Sequence, residues 1–516
     1  MNVLFFPDNK LGASIAPIFN GHIAIVSHNT DRLIDRHYAL AEMYAFKHNV
    51  QCTSFLHAFG ETTSTTLYGE TFFENTNYGE TLKAVHNSGR ISFGLYWRSD
   101  MWVNPLTGVQ QSIPDYNAST WSSTGAATFK SAVQGAAKQV RYPNHGQQMF
   151  DISSGDFGYD MINSVMGASN LSETNTHTDQ QLNKIYELSG LNITSGSYTN
   201  GAQGGWNVLI PKFFGVRNSV HTASGNNGNI KYSELSRQEM MQEASTTRAW
   251  DAVNAGQFPD QTTALNYSAT EIDRAIVTGG WFSEFMHWHS LYKANDTAFF
   301  EPFMQMIDTA IAGRDVWRAG NNEVNEYYVL VNSIDKIGSY VHNNKAFVFI
   351  RFKDMFSGTD TNGINNEIDP TKISTPISIE IDLTGTSLAS KNIASVQAKT
   401  VRNLGSNKWI INVSPIDTFK NGYMTFVVEE TLNSDQLFSE ARPVLSRSGN
   451  TVTADVKCKF VIWRKALAAS DASIEAVYRT IEFSSSLNYA FDTANYVYYV
   501  GGISNSRVSS LTEINT

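Results

Sequence analysis

The stretch GGWFSEFMHWHSLYK, residues 279–293, sets His287 and His289 either side of Trp288, directly after an apolar run. If that run is a strand, alternate positions share a face, so the two imidazoles can serve one site while Trp288 faces the other layer. Imidazoles, carboxylates and guanidiniums recur at comparable places. His28 and Asp31 follow HIAIVS, His57 ends QCTSFLH, Arg98 and Asp100 follow ISFGLYW, and Arg141 and His145 lie in RYPNHG. Imidazole and carboxylate are the ligand types of zinc and similar divalent ions, which activate water as a nucleophile. They are equally the groups for general acid and base work near neutral pH. Any one histidine, taken alone, is more often a hydrogen-bonded structural residue. His22, His37, His48, His86 and His342 fall on helices, strand starts or turns and carry no functional expectation.

Scattered groups of this kind act together only if the fold gathers them. His22–Ser27 (HIAIVS) reads as a strand. RLIDRHYALAEMYAFKHN then reads as a helix whose Leu33, Tyr38, Leu40, Met43, Tyr44 and Phe46 share a broad apolar face. QCTSFLHAF is a second strand, ETLKAVHNSG a short helix ending at Gly89, ISFGLYW a third strand, and TFKSAVQGAAKQ a helix of small residues. GWNVLIPKFFGV and EIDRAIVTGGWFSEFMHW each carry a further strand, and FFEPFMQMIDTAIAG is an amphipathic helix stopped by Gly313. Strands alternating with helices predict parallel strands and a wound or barrel-like α/β domain. In such domains functional side chains collect beyond the carboxyl ends of the strands. After about residue 330 the pattern changes to short alternating strands such as ISIEIDL, VKCKFVI, AFVFIRF, KWIINV and NYVYYV, with turns such as HNNK and GSN. The predicted organisation is an N-terminal arm over 1–21, an α/β domain over 22–330 and an all-β sandwich over 331–516.

Composition bounds the partners. The chain has 516 residues, 41% of them apolar and 12% aromatic, and a formal net charge of −10. With no long Lys/Arg run, neither nucleic acid nor an anionic membrane is expected as partner. Aromatics scattered through a background rich in Asn, Ser, Thr and Gly suit a surface that meets carbohydrate, and equally suit a virion protein. Cys52 and Cys458 support no disulfide framework and are expected as buried small apolar residues. MNVLFFPDNK lacks the basic and long apolar regions of a secretory signal, and no run is long enough to span a bilayer. A soluble protein is expected, either cytoplasmic or released by lysis as part of a phage particle.

The order of features over residues 22–330 resembles the polysaccharide deacetylase family of carbohydrate esterases. In that family a strand ending in T-F-D-D-G precedes a helix and a strand carrying A-T-F-F; here IVSHNTD, a helix and QCTSFL follow at similar spacing. The family's G-H-E-I-G-x-H-[ST]-x-x-H is echoed by HNSGRISFGLYWRSD, its R-x-P-x-G by RYPNHG, and its closing L-x-H and V-x-x-A-x-x-x-E by WFSEFMHWH and DVWRAGNNEV. The resemblance implies a distorted (β/α) barrel that hydrolyses N- or O-acetyl groups on glycans with a divalent metal, zinc above all. It implies Asp31 as base or metal ligand, Arg141 as the cation that orients the base, and His287 as the acid that protonates the leaving group. The family's paired aspartates fall near Thr30 and Asp31, and its metal histidines near Tyr96 and Asp100, or near Leu95 and Ser99 in a shifted register, so either the metal set is rearranged or the barrel keeps its cleft only to bind sugar. Asp31, Asp100, His28 and His57 are the candidate ligands, with His145 as a further one. Tyr96, Trp97, Arg98, His145, Trp288 and His289 are candidate substrate contacts.

Three functions compete. The first is a glycan-active hydrolase that removes acetyl groups from a surface polysaccharide. The second is a noncatalytic, glycan-binding or structural virion protein, such as a tail-associated one, on a degenerate deacetylase barrel; association with itself or with other virion proteins would accompany it. The third is a glycoside hydrolase drawing a carboxylate pair from Asp31, Asp100, Asp156 and Glu284, which requires a separation of about 5–5.5 Å for retention or about 6.5–9.5 Å for inversion.

Overall fold

A computed structural model describes residues 6–31, 35–56, 76–97, 258–286, 300–352, 373–420, 422–439, 441–504 and 507–515. It also describes short strands at 101–103, 110–112, 195–198, 215–216 and 245–247, and isolated positions between 185 and 193. The architecture is mixed α/β with several sheets.

The first half is built on parallel strands. In chain order these are β1 (Ala24–Asp31), β2 (Cys52–Leu56), β3 (Ile91–Trp97), β4 (Ser195–Tyr198), β5 (Gly215–Val216), β6 (Ser245–Thr247), β7 (Trp281–Met286) and β8 (Val316–Arg318). They form one eight-stranded sheet in the order β5-β4-β3-β2-β1-β7-β6, with β8 pairing the start of β1. Every pairing in it is parallel. Among the described residues its two margins, β5 and β6, do not pair with each other. β2 is buried at all five positions, as expected where both faces are covered.

Helices α1 (Asp35–Lys47), α2 (Thr76–Asn87), α3 (Gln261–Thr278) and α4 (Phe300–Ala310) carry the crossovers. α3 occupies a segment in which the sequence pattern suggested only the strand that follows it. Asp260 caps it by accepting from the Thr263 amide at 2.7 Å. Gly279, with φ of 67°, ends it in the left-handed conformation that glycine tolerates, and the chain turns directly into β7. Ala24, Val26, Cys52, Ile91, Phe93 and Phe282 share a core with Phe303, Met304 and Ile307 of α4 and with the apolar residues of α1. The other face of the sheet, through Ile25, Trp281 and Trp317, packs on α5 (Asn321–Ser333) by way of Val324, Tyr327 and Leu330.

α5 is covered on its far side by antiparallel sheets. β9 (Ile334–His342) and β10 (Lys345–Phe352) form a hairpin whose turn residues Asn343 and Asn344 both take positive φ, 48° and 58°, the turn that matches strand twist. β10 also pairs with β14 (Tyr423–Glu430), while β11 (Ile377–Asp382), β12 (Ala398–Gly405) and β13 (Lys408–Val413) form a second sheet. The two sheets share one core, to which Ile350, Ile379, Ile411 and Phe426 contribute. The N-terminal arm belongs to this part: Ser14 and Ile15 pair antiparallel with Glu380 and Ile379 of β11.

A third antiparallel sheet follows, centred on the 16-residue strand β15 (Thr451–Ala466) and β16 (Tyr496–Ser504). One face has its own core around Phe460, Ile462, Tyr498 and Val500. From the other, Val461, Trp463 and Ile503 dock on α1. The all-β half is therefore divided, with one pair of sheets behind α5 and one sheet against α1. Cys52 and Cys458 are buried thiols. No helix among the described residues is long and apolar enough to cross a membrane.

Candidate functional site at the carboxyl edge of the parallel sheet

Parallel strands end at a common edge. Thr30 of β1 lies opposite Met286 of β7 on one side and Ser54 of β2 on the other. Asp31 pairs with Phe55, Leu56 with Leu95, and Tyr96 and Trp97 with Ser197 and Tyr198. The chain therefore leaves β1 after Asp31 and leaves β7 ahead of His287 from neighbouring points. For Asp31, Tyr96 and Trp97 the description extends to the backbone. His57, Arg98, Asp100, Arg141, His145, His287, Trp288 and His289 lie outside the described residues, as does Asp156.

His28 is placed differently from its sequence expectation. β1 does not stop at Ser27 but runs on to Asp31, so His28 is an interior strand residue rather than a rim residue. It alternates with Val26 onto the helix-covered face, with its ring 5.4 Å from that of Phe303 in α4. It has no exposed surface, and its Nδ1 meets the equally buried Glu284 carboxylate. Register explains the meeting, because Glu284 is the direct partner of His28 across β1 and β7. Burial pushes the imidazole down to about 3. His28 is thus engaged beneath α4, and among the described residues no three His, Cys, Asp or Glu side chains are grouped to hold a metal ion. The described donors alone do not fit a zinc centre.

On the opposite face a polar seam runs across the strands and meets the start of α5. Asn29 donates through Nδ2 to Ser283 Oγ at 2.7 Å and to the Glu284 carbonyl at 3.3 Å. Trp281 Nε1 donates to Ser27 Oγ at 2.9 Å. Thr53 Oγ1 and Ser92 Oγ are 3.0 Å apart, and the Asn321 amide, at the first turn of α5, donates to Thr53 Oγ1 at 2.7 Å. The strand hydroxyl does for the helix what a capping side chain normally does. The buried Asn29 Oδ1 and Asn321 Nδ2 have no hydrogen-bond partner among the described residues.

Gly320 makes this junction possible. A Cβ there would strike the Glu323 carboxylate and stand 2.6 Å from Thr53 Oγ1 and 2.7 Å from Ser92 Oγ. Gly320→Ala is expected to cost about 1–3 kcal/mol through overpacking, read as a lower urea midpoint with an unchanged slope; an unchanged midpoint would show that the seam yields freely.

Glu323 is the glutamate of DVWRAGNNEV. It accepts from Gln51 Nε2 at 3.2 Å and Ser92 Oγ at 3.3 Å. Burial, reinforced by Glu326 and opposed by the Ser92 hydrogen bond and Arg90, raises its carboxyl from 4.5 to about 7. This makes it a group able to give or take a proton near neutral pH. The fold favours its protonated form, so that contribution to stability is complete below pH 4.5 and is lost as pH rises through about 7. Glu323→Gln is expected to flatten this segment of the stability–pH curve and to raise stability relative to wild type above pH 7. Denaturant midpoints measured across that range would show it, and parallel curves would refute it. Sequence reasoning gave neither the weakened acidity of Glu323 nor the Glu284 pairing; the available signal for the latter was a lone glutamate inside the apolar strand WFSEFM.

No protein-family model matches the chain, and no curated protein matches it. Among solved structures it is similar to a proposed polysaccharide deacetylase from Mycobacterium smegmatis, at 10% identity over 61% of this chain and 94% of that one, with a TM-score of 0.29. It is also similar to the FN1–FN3 domains of chicken CNTN1, at 12% identity over 36% of this chain and 66% of that one, with a TM-score of 0.11. At these TM-scores neither likeness carries an argument about the fold.

Proposed function

We propose that the chain is a glycan-active hydrolase of polysaccharide deacetylase type, removing acetyl groups from a surface polysaccharide at the carboxyl edge of the parallel sheet. One observation carries this reading: the register that sets Thr30 beside Met286, so that the strand ending in Asp31 and the strand leading into His287 finish side by side. The order of motifs along the sequence supports the same reading. In the proposed reaction Asp31 takes a proton from water, the water oxygen adds to the acetyl carbonyl carbon, and His287 gives a proton to the departing sugar oxygen or nitrogen as the bond to the acetyl carbon breaks. Arg141 holds the Asp31 carboxylate, while Tyr96, Trp97, Arg98, His145, Trp288 and His289 contact the glycan.

The engagement of His28 by Glu284 favours a second reading, in which the same edge binds glycan without cleaving it, as in a virion component. Acetate release from an acetylated polysaccharide, with metal content measured on the same preparation and binding measured on an acetylated oligosaccharide, separates the two. Acetate release supports the first, binding alone supports the second, and neither acetate nor binding sinks both.

A further inference from the structure

The opposite, amino-terminal edge of the parallel sheet holds a partly open cavity of about 100 Å³, where the ends of three parts of the molecule meet. Arg90 enters it from the start of β3, Arg314 and Arg318 from the two sides of β8, and Arg442 from the segment leading into the C-terminal sheet; His22 and Trp317 complete its working surface. The described lining includes four guanidiniums and an imidazole and no carboxylate.

Carboxylates do face these cations from neighbouring elements. Asp308 of α4 is 3.4 Å from Arg318, and Asp273 of α3 is 2.5 Å from Arg314. Asp315 pairs with His22 and with Arg402, and Glu323 acts on Arg90. Arg442 is fixed in another way. Its guanidinium donates to the carbonyls of Phe46 and Ser509, each at 2.7 Å, of Val508 at 3.0 Å and of Lys47 at 3.1 Å. Carbonyls hold the group in place but leave its charge whole. Burial, with repulsion from Arg318 and Arg442, brings even the Arg90 guanidinium down to about 10.

Rigidly held, partly desolvated guanidiniums converging on one small space are the usual recognition elements for phosphate and related oxyanions. A water needs only about 10–15 Å³ of such space, so the cavity admits several waters or one tetrahedral ion. We propose that this cavity binds a tetrahedral oxyanion, as inorganic phosphate or as the phosphate of a monoester, which ties together the amino edge of the parallel sheet, the end of α1 and the C-terminal sheet. Occupation there leaves the carboxyl edge open, so the ion acts as a clamp on the fold and not as a competitor for the glycan.

The test is titration of the full chain with inorganic phosphate and, separately, with a hexose 6-phosphate, in chloride buffer at constant ionic strength, followed by calorimetry and melting temperature. Saturable binding with a rise in melting temperature is expected, and the tighter of the two probes identifies a free ion or an ester. Arg318→Gln is expected to weaken binding about 10- to 100-fold, the loss of one charge-assisted contact. Should that variant not fold, Arg314→Gln carries the same expectation, because its ion pair with Asp273 is at the surface and worth little. No saturable binding of either probe by the wild type, or wild-type affinity in a folded variant, would overturn the proposal.

Discussion

Asp31→Asn is expected to reduce acetate release from an acetylated glycan by about 10²- to 10⁴-fold, the range for losing a positioned general base. Asparagine matches aspartate in shape but takes no proton, so the loss should fall on kcat while glycan affinity stays within a few-fold of wild type. β1 itself should survive the change, since its backbone pairing through Asp31 to Phe55 does not involve the carboxylate. Initial-rate kinetics with a binding measurement on the same variant will decide. A variant of unchanged rate would remove Asp31 from the reaction, and one that merely loses glycan affinity would assign it to binding.

The second large effect is structural and lies at α1. Glu42 is fully buried between α1 and the C-terminal sheet, accepting from Trp463 Nε1 at 3.0 Å and from Arg479 Nη2 at 2.7 Å. Glu42→Ala leaves an indole N–H and a guanidinium without their acceptor, and breaking one side of a buried pair costs on the order of 3–5 kcal/mol. That is a large share of the net stability of an ordinary domain. Glu42→Gln keeps a carbonyl for Trp463 and should cost less. Urea unfolding followed by the fluorescence of the chain's tryptophans measures both; a loss under about 1 kcal/mol for the alanine variant would contradict this reading of the interface.

Much of the local structure was legible. The turns in HNNK and GSN are the tight hairpin turns β9–β10 and β12–β13, because asparagine tolerates the positive φ found at Asn343, Asn344 and Asn407. Gly89 and Gly313, both at positive φ, follow α2 and α4 where the helical pattern stops. The extent of β1 was not legible, because Ser27, His28, Asn29 and Thr30 look like a polar loop. They form a strand because the fold supplies partners for the polar groups, Trp281 and Ser283 on one face and Glu284 on the other. The second covering of α1 was hidden too. Tyr38, Leu40, Ala41, Met43, Tyr44, Ala45 and Phe46 are all buried, which one sheet cannot achieve around a helix. A periodicity reading assigns them one broad face, whereas the far side belongs to residues some 400 positions later, as in Glu42 with Trp463, 421 residues apart.

The N-terminal arm imposes a delay on biosynthesis. Ser14 and Ile15 hydrogen-bond to a strand beginning at Ile377, and the Asn20 amide donates to a hydroxyl 358 residues further on. At about 5–20 residues per second, a ribosome needs roughly 20–70 s to deliver those partners after the arm has emerged. The arm is therefore secured only after partners some 360 positions later have been made, and through that interval it waits without them.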